Sequence, residues 1–117
     1  MQDDGGSTAH HSGSRSTPVE ASVHCPIDGS VAFCVSGSAW SNSADMWIGI
    51  GIQVDGEEIG TTGVFCNEAT SHRALIPVQL PTNLSYGTNG EHTIALYPTS
   101  SNTVTDQNDL FFVTLLY

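Results

Sequence analysis

Few side chains in this 117-residue chain can do chemistry, and their spacing suits few reactions. Cys25, Cys34 and Cys66 form no C-x-x-C pair and no two histidines fall at ligand spacing, so no zinc motif is present. Nucleophilic catalysis would need a base brought to a serine or cysteine. There is no G-x-S-x-G elbow, and no Cys-His-Asn set that the sequence can place together. His72 and His92 each precede an apolar alternation and read as strand-end residues rather than general bases. Asp106, Asn108 and Asp109 crowd oxygen-bearing side chains together, as a hard cation such as calcium requires. They lack the glycine and distal glutamate of an EF-hand loop. The run therefore reads first as a turn whose Asp and Asn side chains cap their own backbone. His10-His11 reads as part of a solvated arm, and Glu57-Glu58 as a solvated hairpin tip. Trp40, Trp47, Tyr86 and Tyr97 have the side chains that stack on sugar rings, or that pack subunits together. The expectation is a non-enzyme, with no catalytic residue, metal ligand or cofactor.

The stretch that would position everything else is Met46 to Gly56, MWIGIGIQVDG. Met46, Ile48, Ile50, Ile52 and Val54 take every second position, so on a strand they share one face. Trp47, Gly49, Gly51 and Gln53 share the other. Asp55-Gly56 is a strong two-residue hairpin signal, because a type I′ turn needs φ > 0 at both central residues. With Val54 opposite Glu57, a regular ladder sets Ile52 against Ile59, Ile50 against Thr61 and Met46 against Phe65. It also places Gly51 against Gly60, Gly49 against Thr62 and Trp47 against Val64. Glycines in a strand often mark close approach of another chain segment. Trp47, Gly49, Gly51, Gly60 and Val64 are therefore expected to lie under a subunit or partner.

Residues 1–18 are polar and almost without apolar side chains, the composition of an arm that needs a partner to order it. Residues 19–117 form the domain. Val19–Ile27 and Val31–Val35 read as a hairpin around Asp28-Gly29-Ser30. A three-residue loop turns Val23, Cys25 and Ile27 to the core with Val31, Phe33 and Val35, and leaves Cys34 facing away beside His24. A two-residue Gly29-Ser30 turn would instead bring Cys25 opposite Cys34, close enough for a disulfide. It would also put Pro26, which has no N–H, in a hydrogen-bonded pair. The burial pattern favours the first register and free thiols, as does the odd cysteine count.

Residues 36–45 read as a loop carrying Trp40. His72–Leu80 alternates, with Ala74, Ile76, Val78 and Leu80 on one face, and Thr82–Gly90 is turn-rich. His92–Tyr97 follows as a strand with Ile94 and Leu96 inward, then a polar loop with a short strand near Val104. The closing run, LFFVTLLY, is apolar on both faces. Phe111, Val113, Leu115 and Tyr117 share one face, and Leu110, Phe112 and Leu116 the other. A two-layer sandwich buries only one face of a strand in its own core, so the second needs a covering loop or subunit. No helical period of useful length appears. Seven or eight short strands with regular turn signals predict an all-β, antiparallel sandwich with an extended N-terminal arm.

The formal net charge is −10, with Arg15 and Arg73 the only Lys or Arg residues. A nucleic acid or an anionic membrane surface is an unsuitable partner, since both need a basic footprint. No apolar run approaches the roughly 20 residues of a membrane span. The N-terminus lacks the basic and apolar regions of a secretory signal, so the chain is expected to be made in the cytoplasm or to have been processed ahead of this sequence. Without lysine to blunt its edges, the sheet needs them covered.

The runs VDGEEIG, FCNEATSHRALIPV and GEHTIALYPTSSNTVTDQNDLFFVTLLY resemble the small jelly-roll accessory proteins of tailed-bacteriophage virions, head decoration proteins and minor tail or fibre domains. The resemblance spans about residues 46–117, and its ending shares a cadence with C1q- and TNF-like trimers. It implies a jelly-roll structural protein that decorates or cements a virion, the capsid in preference to the tail, made in the host cytoplasm and anchored by its arm to a major capsid or tail protein. It further implies a homotrimer. The closing strands of C1q- and TNF-type trimers lie near the three-fold axis, which places Phe112 and Leu116, or their opposite-face partners, there. The alternative is a carbohydrate-binding, lectin-like jelly-roll module.

Overall fold

The computed structural model describes residues 8–14 (backbone only), 19–25, 29–84, 90–106 and 108–117. Among them are ten strands and no helix: β1 Thr8–Ser14, β2 Val19–His24, β3 Gly29–Ser41, β4 Met46–Val54, β5 Glu57–Cys66, β6 Arg73–Ala74, β7 Val78–Leu84, β8 Glu91–Pro98, β9 Thr103–Val104 and β10 Leu110–Leu116. No helix of the described residues is long and apolar enough to cross a membrane. The strands make two antiparallel sheets. In the first, the order is β1-β10-β3, with β7 and β6 pairing successive stretches of the long β3 and β9 pairing its end. In the second, the order is β2-β8-β4-β5. The chain is an antiparallel β-sandwich of jelly-roll type.

The core lies between the sheets and follows the period-two pattern. From the first sheet come Val31, Phe33, Val35, Phe111, Val113 and Leu115; from the second, Val23, Ile48, Ile50, Ile52, Val54, Ile94 and Leu96. Phe33, Ile50, Ile52 and Leu115 are fully buried. The Asp55-Gly56 turn has φ of 52° and 89°, as a two-residue type I′ turn demands. Its Asp55 also ties the hairpin to β8: the Asp55 N–H donates to the Thr93 carbonyl (2.8 Å), and Asp55 Oδ1 accepts from the Thr93 N–H (2.9 Å).

Several expectations are corrected. β2 and β3 are not a hairpin: β2 pairs β8 in one sheet, while β3 pairs β10 and β7 in the other. Cys25 is buried and Cys34 half-buried, but Cys34 neighbours Thr114 and Gln79 rather than His24. None of the three cysteines is in a disulfide among the described residues. β3 runs on to Ser41, so Trp40 sits on a strand instead of a loop. Leu75, not Ala74 or Ile76, points into the core, because the chain leaves regular pairing after Ala74. β7 continues to Leu84, into the stretch expected to be turns. Part of the N-terminal segment is a strand of the chain's own sheet. β1 pairs along the whole of β10, from Thr8 opposite Leu116 to Ser14 opposite Leu110. Residues 1–7 and 15–18, Ile27, Asp28, Tyr86 and Asn89 lie outside the described residues.

The central hairpin holds the most consequential correction. Val54 faces Glu57 and Gln53 faces Glu58, but Ile52 then faces Gly60, leaving Ile59 as the extra residue of a bulge. From there the register is shifted by one. Gly51 meets Thr61, Gly49 meets Gly63, and Trp47 meets Phe65. A one-residue shift exchanges faces. Gly60 and Val64 therefore turn inward, Gly60 against the Leu80 side chain and Val64 against the core, instead of joining the Trp47 face.

Candidate functional site

Three places on the sandwich gather the side chains singled out in the sequence. The first is a polar corner where β3, the segment before β6 and the loop into β10 meet. Asp109 is fully buried there. Its Oδ1 accepts from Ser38 Oγ (2.7 Å) and from His72 Nδ1 (2.8 Å), and its Oδ2 from the Asp106 N–H (2.9 Å). Asp106 Oδ1 accepts from the Asn108 N–H (2.8 Å), and its Oδ2 from Trp40 Nε1 (3.3 Å). The hydrogen bond to Asp109 holds the His72 imidazole above its ordinary pKa, and the charges of Asp109 and Asp106 add to the shift against a partial loss of hydration.

This arrangement is a structural lock. Ser38 bonds the carboxylate and not the imidazole, so there is no serine–histidine relay to generate a nucleophile. The ligand atoms of His72, Asp106 and Asp109 lie within 4.8 Å of one another, the one such set among the described residues. Every carboxylate oxygen in the set already accepts a hydrogen bond from the protein, and Asn108 contributes its N–H while its side chain faces solvent. These are the capping contacts expected of the run. His92 has a similar carboxylate partner in the hairpin turn, its Nδ1 lying 2.6 Å from Asp55 Oδ2, and it is buried behind the second sheet.

The second place is the outer face of the first sheet. Phe111, Val113 and Leu115 take the inner face of β10, which leaves Leu110, Phe112 and Leu116 outside at 48%, 47% and 36% exposure. Ala32, Cys34, Ser36, Gln79 and Pro81 stand beside them on β3 and β7. A depression of about 360 Å³ opens between Phe112 and the Pro77–Gln79 edge. No acid stands beside Phe112 or Leu116 on β3 or β7, and the register of β1 sets Thr8, His10 and Ser12 on the same face, opposite Leu116, Thr114 and Phe112.

The third is the outer face of the second sheet. Trp47, 68% exposed, meets Phe65 edge-on, with ring centroids 5.6 Å apart and planes at 66°. Gly49 and Gly51 continue the same face of β4. Both are covered from within the chain, Gly49 by Thr99 and Gly51 by the Tyr97 ring, and a Cβ on Gly51 would stand 2.3 Å from Tyr97 Cζ. The Tyr97 hydroxyl donates to the Glu58 carboxylate, which raises its pKa; burial adds to this and a contact from Gln53 opposes it. Tyr97, Gln53, Ala95 and Glu20 line a shallow depression of about 440 Å³.

Of the residues expected at an interface, the structure brings Trp47, Gly49 and Gly51 together on one face and Phe112 and Leu116 on the other; Gly60 and Val64 join neither. Sequence reasoning missed Phe65, Glu58, Ser38 and the carboxylate partners of both histidines. The bulge that aligns Phe65 with Trp47 has no local signature, and the other contacts span 37 residues or more.

Compared by sequence, the chain matches no family model and no curated protein. Compared by shape, it is similar to the tripod from the baseplate of bacteriophage Tuc2009, with a TM-score of 0.60 at 13% identity over 94% of this chain and 63% of that one. It is also similar to Eiger TNF from S. frugiperda, with a TM-score of 0.59 at 11% identity over 94% and 91% of the two chains. A family 35 carbohydrate binding module from Clostridium thermocellum gives a TM-score of 0.52 at 16% identity over 87% and 71%. At these identities the likeness establishes the jelly-roll fold.

Proposed function

We propose that this chain is a non-enzymatic structural protein of a tailed-phage particle, decorating or cementing it as a homotrimer that closes through the outer face of the first sheet. The observation that carries the reading is the uncharged strip of Leu110, Phe112 and Leu116 on a chain of net charge −10. Three copies bring together thirty negative charges, three times ten, so they can meet only where carboxylates are absent. Fully burying a Leu or Phe contributes roughly 1.5–3 kcal/mol. With about half of each side chain still exposed, closure over the strip contributes about 1 kcal/mol per residue, or about 9 kcal/mol for three residues in three protomers. The shape likeness to a phage baseplate tripod supports placement in a virion, and the N-terminal segment leading into β1 is the attachment to a major capsid or tail protein.

Sedimentation of the purified protein tests the assembly. The wild type sediments as a trimer at micromolar concentration, and Phe112→Asp, which would bury an unpaired charge at the axis, as a monomer. A wild-type monomer, or a trimer indifferent to the substitution, overturns the homotrimer. Mass spectrometry of purified particles from a producing culture tests the location, and absence of the chain from them overturns the virion role. A second reading, a carbohydrate-binding module, is favoured by the exposed Trp47–Phe65 pair on the opposite face, and it does not compete for the assembly surface.

A further inference from the structure

We infer that the outer face of the second sheet is a binding site for a neutral oligosaccharide, with Trp47 and Phe65 as the stacking platform and Glu58, Gln53 and Glu20 as the hydroxyl-binding end. The inference deepens the second reading above and is independent of the trimer.

A sugar ring offers two kinds of surface, C–H faces that lie against aromatic rings and a rim of hydroxyls that needs fixed acceptors and donors. This face carries both, in that order along β4. Trp47 is the most exposed large apolar side chain among the described residues, and its edge-on contact with Phe65 holds it in place without covering it. Next along the strands come Gly49 and Gly63, which face one another and add no side chain to the floor. Then Tyr97 lies across Gly51, where any larger residue would push it up. Its hydroxyl is held by Glu58, and the depression beyond it is lined by Gln53 and Glu20. Apolar lining with a few convergent polar groups is the usual make-up of a small-ligand site.

The geometry also sets the ligand's size and charge. Trp47 and Gln53 are six residues apart on one strand, about 20 Å at roughly 3.3 Å per residue. That length suits a chain of several rings rather than a monosaccharide. The described polar groups here are the Glu58 and Glu20 carboxylates, the Gln53 amide, the Tyr97 phenol and the hydroxyls of Thr61 and Thr99; His24 lies four residues beyond Glu20 on β2, and the one described arginine, Arg73, belongs to the other sheet. Acidic sugars would meet the Glu58 and Glu20 carboxylates with no described lysine or arginine on this face to offset them, so the ligand is neutral. An apolar protein partner would take the Glu20 carboxylate and the remaining lone pairs of Glu58 out of water with no donor in exchange, whereas sugar hydroxyls would supply donors.

The test is an array of neutral hexose and pentose oligosaccharides with a matched panel of acidic glycans, followed by titration calorimetry of the best neutral binder, with and without EDTA. Trp47→Ala, which removes an exposed side chain and leaves the core intact, weakens binding at least tenfold, and Glu58→Gln weakens it several-fold. Trp40→Phe, at the polar corner, leaves it unchanged, and EDTA has no effect. Neutral-glycan binding that survives Trp47→Ala, or that EDTA abolishes, overturns this site while keeping the carbohydrate reading. An array with no neutral binder at millimolar concentration overturns both, as does retention of acidic glycans alone. Capture of a basic peptide by the same face, lost on Glu58→Gln with no glycan bound, also overturns the inference.

Discussion

Asp109→Ala tests the polar corner most directly. The carboxylate is fully buried and accepts from Ser38 Oγ, His72 Nδ1 and the Asp106 N–H at 2.7, 2.8 and 2.9 Å. A hydrogen bond to a charged group contributes about 1.5–3 kcal/mol, so three of them set an upper bound near 4.5–9 kcal/mol. Two effects reduce it: the buried charge itself carries a desolvation cost, and the half-exposed Ser38 and His72 can turn to water. The Asp106 N–H cannot turn. The expected net loss is about 3 kcal/mol, a large part of the 5–15 kcal/mol typical of a small domain. Asp109→Asn keeps the shape but presents an amide NH₂ to a donor, and loses about 1–2 kcal/mol. Urea unfolding at pH 6, followed by tryptophan fluorescence, measures both. A loss below 1 kcal/mol for Asp109→Ala, with the urea slope unchanged, would refute the lock.

The same corner predicts a pH dependence. The folded-state pKa of His72 is raised above its unfolded value of 6.5, so its contribution is complete below pH 6.5 and is lost as pH rises through the folded pKa. The wild type should exceed His72→Gln in stability most at pH 5, and the gap should shrink steadily above neutrality; a constant gap would show that the charged imidazole contributes nothing. Gly56→Ala, at φ 89°, should cost about 1–2 kcal/mol in thermal unfolding, because an L side chain is strained in that region. In a spectrophotometric titration, Glu58→Gln should bring the Tyr97 phenol back toward its ordinary pKa, since the carboxylate is the largest cause of its upward shift. Cys34 lies beside Phe112 on the assembly face. A thiol reagent should therefore modify it in the monomeric Phe112→Asp variant and spare it in the wild type, with Cys25 and Cys66 reacting only on unfolding.

The elements that sequence alone determined are those set by neighbouring residues. Alternation along Met46–Val54, His92–Tyr97 and Leu110–Tyr117 specified strands, because successive side chains on an extended backbone point to opposite faces. Asp55-Gly56 specified its turn, since few residue pairs accept φ > 0 twice in succession. The acid and amide run at Asp106–Asp109 announced a capped turn for the same local reason. What the tertiary structure decided is everything that depends on a distant partner. Alternation names two faces but no neighbour, so nothing local told β2 to leave β3 for β8. The two faces of β10 are equally apolar, and the choice of Phe111, Val113 and Leu115 for the core came from the residues opposite, Val35 and Phe33 on β3. The extra residue at Ile59 is invisible in composition, yet it moved Phe65 beside Trp47 and turned Val64 inward. His72 and Asp109 stand 37 residues apart, and Ser38 and Asp109 71. Pairing of β3 with both β6 and β10 in one sheet makes them neighbours, and a contact's sequence separation carries no local signal.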